Sequence, residues 1–375
     1  MADRKFLPDV NADIYGLLRD LAAIQTAKSK EFGYKRAAAA VWSLDEPLDR
    51  LREQHGEVPR IRGLGPATLR VVNEVLDQGH SPTVDAAVAN SGREVDIQRR
   101  RGLRQFVLSR AAVRMALADS TLGGPNPSSY RGDLQMHSEW SDGSLTVAEM
   151  AHACAGRGYA FCAITDHAGS LKIAGGLTRE EVARQQREIE AFNMRGADCR
   201  VLKGIEANID AAGNIDIETA DLASFDLVLA APHSRLRLQE DQTPRMLRAV
   251  TTPGVHILAH PRGRMAGSRA GVVADWDAVF AAAAEHRVAI EIDGDPARQD
   301  LDYVLAKRAV DAGCLFALDS DAHTPDQLTY AETAVAHARL AGIPPDRIVN
   351  CWTLDRLLAW LADPRPESRR SGNSG

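Results

Sequence analysis

Five of the eleven histidines stand in short clusters with carboxylates. The clusters are Asp133-Leu-Gln135-Met-His137 with Ser141-Asp142-Gly143 just after it, Thr165-Asp166-His167, Gly204-Ile-Glu206, Pro232-His233-Ser234, His260-Pro261 and Asp319-Ser-Asp321-Ala-His323. Imidazole nitrogen and carboxylate oxygen together suit zinc, manganese or iron, and a carboxylate can bridge two ions. One ion takes roughly three or four protein ligands. His137, Asp142, His167, Glu206, His233, His260, Asp321 and His323 exceed that, so two or three divalent ions (Mn, Zn or Fe) are the economical reading. Grouped ions of this kind activate water near neutral pH, clamp phosphate oxygens and stabilise a leaving oxygen, which is the chemistry of phosphoester hydrolysis. Lys172 and Arg264 follow two of the clusters and are candidate catalytic cations, although each reads equally well as an exposed charge. Asp133 and Asp166 precede candidate ligands and read as groups that orient backbone or ligands. His55, His80, His152, His256, His286 and His337 lie outside the clusters and read as surface or satisfied core residues.

The clusters have a common place in the chain. Short apolar runs recur at Gly132–Met136, Ala160–Ile164, Arg200–Ile205, Leu227–Ala231, Val255–Ala259, Val288–Ile292 and Leu315–Leu318, with helix-like segments such as Thr178–Phe192 and Trp276–His286 between them. Alternating strands and helices predict βα units, a parallel sheet and a barrel. Each run ends in chemistry-bearing residues, the sixth in carboxylates alone (Glu291-Ile-Asp293-Gly-Asp295). In a parallel α/β barrel, active sites are built at that C-terminal end of the strands.

The series DLQMHS…SDG, TDH, GIE, PHS, HP and DSDAH resembles the PHP (polymerase and histidinol phosphatase) domain, six motifs in order over Arg131 to about Leu361. The resemblance implies a distorted, TIM-like (β/α)7 barrel with up to three metals. Carried over by position, the first metal would take Gln135, His137, Glu206 and Asp321. The second would share Glu206 and add His233 and His260, and the third would use Asp142, His167 and His323. The family usually has His where this chain has Gln135. An amide oxygen is a poorer ligand for zinc or manganese than imidazole, so the first site is expected to be weaker or tuned to a harder ion.

The chain has 375 residues, 45% of them hydrophobic and 26% charged, with a formal net charge of −6. That length suggests two domains. No apolar run reaches the ~18 residues of a membrane span. The start lacks the apolar stretch of a signal peptide, and the five cysteines form no CxxC pair, so a cytoplasmic location and no membrane partner are expected. Residues 1–130 carry 19 Lys and Arg against 16 Asp and Glu, so this part is +3 and the rest −9. Helices are predicted after Asn11 as N-cap, over Phe32–Trp42, over Pro66–Leu76 and over 93–122, the last carrying Arg99, Arg100 and Arg101. Ile61-Arg-Gly63-Leu-Gly65-Pro resembles a helix-hairpin-helix, whose glycine turn would offer backbone N–H groups to a DNA phosphate without reading bases. Tyr34-Lys35-Arg36-Ala-Ala-Ala-Ala-Val41 resembles the DNA-end-binding part of bacterial family-X DNA polymerases, to whose PHP domain the TDHAGSL and HPRGR stretches are also similar.

These resemblances imply an all-α helix-hairpin-helix DNA-binding domain at 8–92, with Lys35, Arg36, Gly63 and Gly65 as phosphate contacts, while the clustered charge of Arg99, Arg100 and Arg101 reads either as further phosphate contacts or as a solvated helix face. A basic helix and linker would follow at 93–130, then the PHP barrel at 131–361 and a disordered tail at 362–375. Residues 93–130 are too few for a polymerase palm, so no polymerase activity is expected. The leading expectation is a metal-dependent phosphoesterase acting on DNA ends, gaps or abasic sites, as a 3′–5′ exonuclease or repair nuclease. A small-molecule phosphatase of the histidinol-phosphate or nucleotide type is the alternative. A DNA-binding scaffold with a degenerate metal site, for which Gln135 argues, is the third.

Overall fold

The computed structural model describes residues 8–169, 171 and 174–363. Lys172 and all but the first two residues of the expected tail lie outside the described residues. The chain forms two compact units: residues up to Asp119 together with Ala266–Ser268, and the remainder.

The first unit is helical: α1 (Val10–Ile24), α2 (Lys28–Trp42), α3 (Leu48–His55), α4 (Pro66–Gln78), α5 (Pro82–Ala89), α6 (Glu94–Gly102) and α7 (Arg110–Ala118). Ile14, Leu18, Leu21, Ala38, Val41, Val72 and Val84 form its core. The N-cap of α1 is Asp9, whose carboxylate accepts from Ala12 N–H at 3.0 Å, not Asn11. Asn11 lies buried within the helix, where its amide accepts from Leu48 N–H at 2.9 Å and donates to the Glu46 carbonyl at 3.1 Å, so its polarity anchors the start of α3. The single basic helix expected over 93–122 is two helices. Ser109 ends the break by capping α7, and its N–H and hydroxyl both donate to Asp9 at 2.7 Å. Ile97 of α6 is buried in the core of this unit, to which residues 93–119 belong.

The second unit holds seven strands among the described residues: β1 (Gly132–Asp133), β2 (Phe161–Ile164), β3 (Arg200–Asn208), β4 (Leu227–Ala231), β5 (Ile257–Leu258), β6 (Ala289–Asp293) and β7 (Leu315–Asp319). All neighbours pair in parallel and in sequence order, as βα units require. The connecting helices are α8 (Val147–Gly156), α9 (Arg179–Asn193), α10 (Thr219–Leu222), α11 (Thr243–Val250), α12 (Trp276–Glu285), α13 (Tyr303–Asp311) and α14 (Ala331–Ala341), and α15 (Leu354–Ala362) follows.

The sheet curls into a nearly closed barrel. Beyond β1 and β7, Met136 bridges Ala322 in parallel, and His137 N–H donates to the Ala322 carbonyl at 2.8 Å. Lower in the seam, Asn350 replaces a ladder. Its amide nitrogen donates to the Gly132 carbonyl at 2.9 Å and to Asp319 Oδ1 at 2.8 Å, while its oxygen accepts from Leu318 N–H at 2.7 Å. Inside the barrel, Leu227, Ile257 and Ala289, the first residues of β4, β5 and β6, pack with Trp352, Leu357 and Trp360. The segment through α15 therefore plugs the N-terminal end of the barrel, and the opposite end is left to polar residues.

His337 of α14 is fully buried; its Nδ1 accepts from Tyr303 N–H at 3.1 Å and its Nε2 pairs with Gln299 Oε1 at 2.8 Å. Burial pushes its pKa down to about 3. An unfolded histidine titrates near ~6.5, so this group favours the folded state fully above about that pH, and the contribution is lost as pH falls toward 3. Denaturant unfolding at stepped pH is expected to show stability falling by up to a few kcal/mol across this window, and less steeply in His337→Gln. Equal slopes in the two proteins would contradict this reading.

Candidate metal centre

Side-chain alternation along the strands delivers most of the clustered residues to one place. In β4, Leu227, Leu229 and Ala231 face the barrel interior, and the same parity reaches His233. In β2, Phe161 and Ala163 face inward, and parity continues to His167. In β3, Leu202 faces inward, and parity carries on to Glu206, while Ile205 and Ala207 pack outward against Val182. In β7, Ala317 faces inward, and parity continues through Asp319 to Asp321. His260 breaks the pattern: Ile257 and Ala259 face inward, so parity would turn His260 out. Its φ of 25° turns the chain, and its side chain joins the cluster instead. Asp321 is likewise left-handed, with φ 53°. Such conformations are costly for non-glycine residues and concentrate at functional sites.

Glu206 is the centre of the cluster and is 1% exposed. Its Oε1 lies 2.9 Å from His260 Nε2 and 3.2 Å from His233 Nε2. Its Oε2 lies 3.0 Å from His167 Nδ1 and 3.4 Å from His137 Nε2. His137 Nε2 is also 3.1 Å from Asp321 Oδ1. Asp142, at the mouth, places Oδ1 3.4 Å from His323 Nε2, 3.6 Å from His167 Nε2 and 3.7 Å from His137 Nδ1. The His137 ring stacks between those of His167 and His323, each 4.4 Å away between centroids. His323 donates from Nδ1 to the Asp321 carbonyl at 2.8 Å, which leaves Nε2 free to bind.

Donor atoms of His137, Asp142, His167 and His323 all lie within 4.8 Å of one another, and so do those of His167, Glu206 and His233. His167 thus serves two groups, one through each ring nitrogen. The chemistry of this donor set fits divalent ions. Glu206 Oε2 is buried beside two imidazoles yet makes no hydrogen bond, as do both amide atoms of Gln135 and the Nδ1 atoms of His233 and His260. Buried polar atoms without protein partners are rare, and an ion is a standard explanation for them.

The surroundings fix the donors. Asp166 accepts from Ser138 N–H at 2.8 Å and from the Ser138 hydroxyl and Gln185 amide at 2.5 Å, and it also bonds the Ser141 hydroxyl, so it shapes the loop that carries Asp142. Gly143 lies so close to His137 that a Cβ there would meet the His137 carbonyl at 2.4 Å. Arg245 donates to the carbonyls of Asp210, Ile209 and Ser234 at 2.7, 2.6 and 3.0 Å, bracing the turn after His233. Beneath the donors, Asp133, Glu291 and Asp319 are fully buried, and burial pushes Asp319 up to about 6. Asp133 Oδ1 accepts from the N–H groups of Gln135 and Ser320, both at 3.3 Å.

Arg264 has a different setting from the one expected. It is buried, donates from Nε to the Arg298 carbonyl at 2.7 Å and pairs with Asp302 at 3.2 Å, so it braces the loop after β6. Among the described residues, Arg298 reaches the donors, 3.3 Å from Asp321 Oδ2, 3.6 Å from Asp293 and 3.7 Å from Asp295. Sequence reasoning passed over it, although a single Arg inside the acidic run Glu291–Asp302 was a signal.

In the helical unit, Arg36 is exposed on α2. Gly63 has φ 101°, and a Cβ there would lie 3.6 Å from the Arg36 carbonyl, so the glycine turn between α3 and α4 packs on α2. Gly65 N–H donates to Thr68 Oγ1 at 2.8 Å. Lys35 pairs with Glu31 at 2.6 Å. Arg99 and Arg100 pair with Asp96 at 3.2 and 3.1 Å, and Arg100, with Arg93 and Arg99, holds Asp96 down to about 2. Arg101 pairs at 2.6 Å with Asp20, a fully buried carboxylate that Arg104 also contacts, so its first duty is internal.

No protein-family model matches the chain. It is 38% identical to the DNA polymerase/3′-5′ exonuclease PolX of Bacillus subtilis over 232 residues, which is 62% of this chain and 41% of that protein. It is 29% identical to the probable phosphatase YcdX of Escherichia coli over 237 residues, 59% of this chain and 90% of that one. The barrel-forming part of the chain is thus similar in sequence to both proteins. The chain spans about 41% of the length of PolX. A solved histidinol phosphate phosphatase from Lactococcus lactis, complexed with zinc, L-histidinol and phosphate, aligns with TM-score 0.40 and 15% identity over 56% of this chain and 94% of that one.

Without metal, the Glu206 and Asp142 carboxylates outweigh burial and raise His167 to about 10; Asp142 and Asp321 raise His323 to about 9. Both rings then hold a proton at pH 7 that a metal must displace. Metal titration calorimetry in buffers of different ionisation enthalpy is expected to show release of roughly one to two protons per chain, and affinity that rises with pH toward 10. Glu206→Gln is expected to lose most bound metal. Full metal retention by Glu206→Gln, or binding without proton release, would contradict the assignment.

Proposed function

We propose that this chain is a metal-dependent phosphoesterase that hydrolyses DNA phosphodiester or terminal phosphate bonds, of the 3′–5′ exonuclease or repair-nuclease type. The convergence of four imidazoles on the two oxygens of buried Glu206 carries the phosphoesterase part of this reading. Divalent ions held there would supply an activated water and positive charge for the phosphate oxygens. The chain's own residues do the rest. Glu206 would serve more than one ion, because each of its oxygens faces a different pair of rings. Asp142 sits at the exposed edge, where an incoming phosphate would first meet the donors. Arg298 balances Asp321, Asp293 and Asp295, which keeps the acidic strand ends from repelling an anionic substrate.

The likeness to PolX supports DNA as the substrate. So does the glycine turn on α2, next to exposed Arg36. YcdX, covered over 90% of its length, favours the second reading, a small-molecule phosphatase. A substrate panel separates them: end-labelled single-stranded, gapped and abasic DNA against phosphomonoesters, each with and without Mn²⁺. Metal-dependent shortening of DNA, lost with a chelator and in Glu206→Gln, is expected. DNA left intact while phosphomonoesters turn over, unaffected by added DNA, would sink the nuclease reading.

The basic helical unit gives a separate expectation. Arg36→Ala with Arg99→Ala should weaken DNA binding and reduce its salt dependence by about one to two phosphate contacts, with small-ester turnover intact. Arg101 is left out of this test because it partners buried Asp20. Unchanged affinity and salt slope would remove this surface from the DNA path.

A further inference from the structure

The three ion positions do not offer the same chemistry. Rings and carboxylates divide unequally around the centre. Glu206 Oε1 with His233 and His260 gives one oxygen ligand and two imidazoles. Asp142 with His167 and His323 gives the same ratio. The remaining position, around His137 Nε2, has Asp321 Oδ1 at 3.1 Å and Glu206 Oε2 at 3.4 Å, so one nitrogen meets two carboxylate oxygens.

Gln135 belongs to that position by backbone direction. Met136, between Gln135 and His137, bridges Ala322 and turns its sulfur outward to Cys154 of α8 at 3.7 Å. Alternation along this extended segment then sends Gln135 and His137 to the opposite, inner side together. The Gln135 side chain is fully buried, and neither its oxygen nor its nitrogen has a hydrogen-bond partner. A fully buried amide with both ends unsatisfied is a group that ordinary packing does not keep. Only the oxygen of an amide can ligate, and it is a hard donor. Oxygen donors suit magnesium and manganese, whereas imidazole suits zinc, copper and iron.

We propose that the position bounded by Gln135, His137, Glu206 and Asp321 is a hard-ion site selective for Mn²⁺ relative to its neighbours, so that the loaded centre is heterometallic, with zinc-class ions at the two imidazole-rich positions. The selectivity is relative: zinc binds most sites more tightly than manganese, but its advantage is smallest where oxygens dominate. This inference rests on the metal-centre reading and is independent of whether the substrate is DNA or a small phosphoester.

The test uses the whole chain, stripped with a chelator and desalted. It receives about two equivalents of Zn²⁺ and an excess of Mn²⁺. Bound ions are then counted by elemental analysis, and bound Mn²⁺ is read by electron paramagnetic resonance. The wild type is expected to retain about two zinc ions and about one manganese ion per chain. Gln135→His should reduce manganese affinity relative to zinc by about tenfold or more and take a third zinc on further addition. Zinc displacing manganese from the wild type at this ratio would overturn the inference, and so would Gln135→His with unchanged manganese retention. Should Gln135→His fail to fold, the wild-type competition alone decides. A wild-type chain that keeps no ion of either kind would overturn the metal-centre reading itself.

Discussion

A single buried carboxylate governs the barrel end. Glu206 is inaccessible to water, and a buried charge is tolerated only with close compensating partners. Its partners come from the ends of β1, β2, β4 and β5, so strands far apart in sequence must finish at one depth and on one axis. Parallel pairing in sequence order provides that common depth. The nearly closed curl then points the strand ends at one another. The same requirement explains why the seam between β1 and β7 is held by Asn350 and by the Met136–Ala322 bridge: an open edge there would move His137 away from Asp321.

Support for the donors is layered. The apolar plug of Trp352, Leu357 and Trp360 closes the far end of the barrel and sets a rigid floor. Above it, Asp133, Glu291 and Asp319 use their oxygens on backbone N–H groups, those of Leu134, Gln135, His260 and Ser320, and so hold the segments that carry the ligands. These acids sit close together in the barrel interior, and burial drives their pKa values upward. The ligand layer comes next, and Asp142 and Arg298 stand at its rim.

Much of this was legible in the chain. The apolar runs located every strand to within a few residues, because a strand buried on both faces must be apolar throughout. Placing β4 at Leu227–Ala231 needed nothing more. Spacing of two then carried the inward face from Ala231 to His233 and from Ala317 to Asp321. Helix boundaries were less legible. Asn11 and Asp9 are both good caps, and only the distant backbone of Leu48 and Glu46, which Asn11 serves, decides between them.

By itself, the sequence determined the donor types, their order along the chain, the strand on which each sits and the unusual amide at position 135. These follow from local pattern and from side-chain chemistry, which need no partner to be read. Tertiary structure decided the rest. His260 enters the site against strand parity through a left-handed turn, and such a turn is stable only because the surrounding fold imposes it. Arg264 and Arg298 are equivalent cations in sequence. Asp302 engages one and Asp321 the other, since a long flexible side chain goes to whichever carboxylate the fold brings near. Arg101 reads as one more residue of a basic stripe until buried Asp20, 81 residues away, engages it. Long-range electrostatic pairing depends on which residues become neighbours, and only the folded chain fixes that.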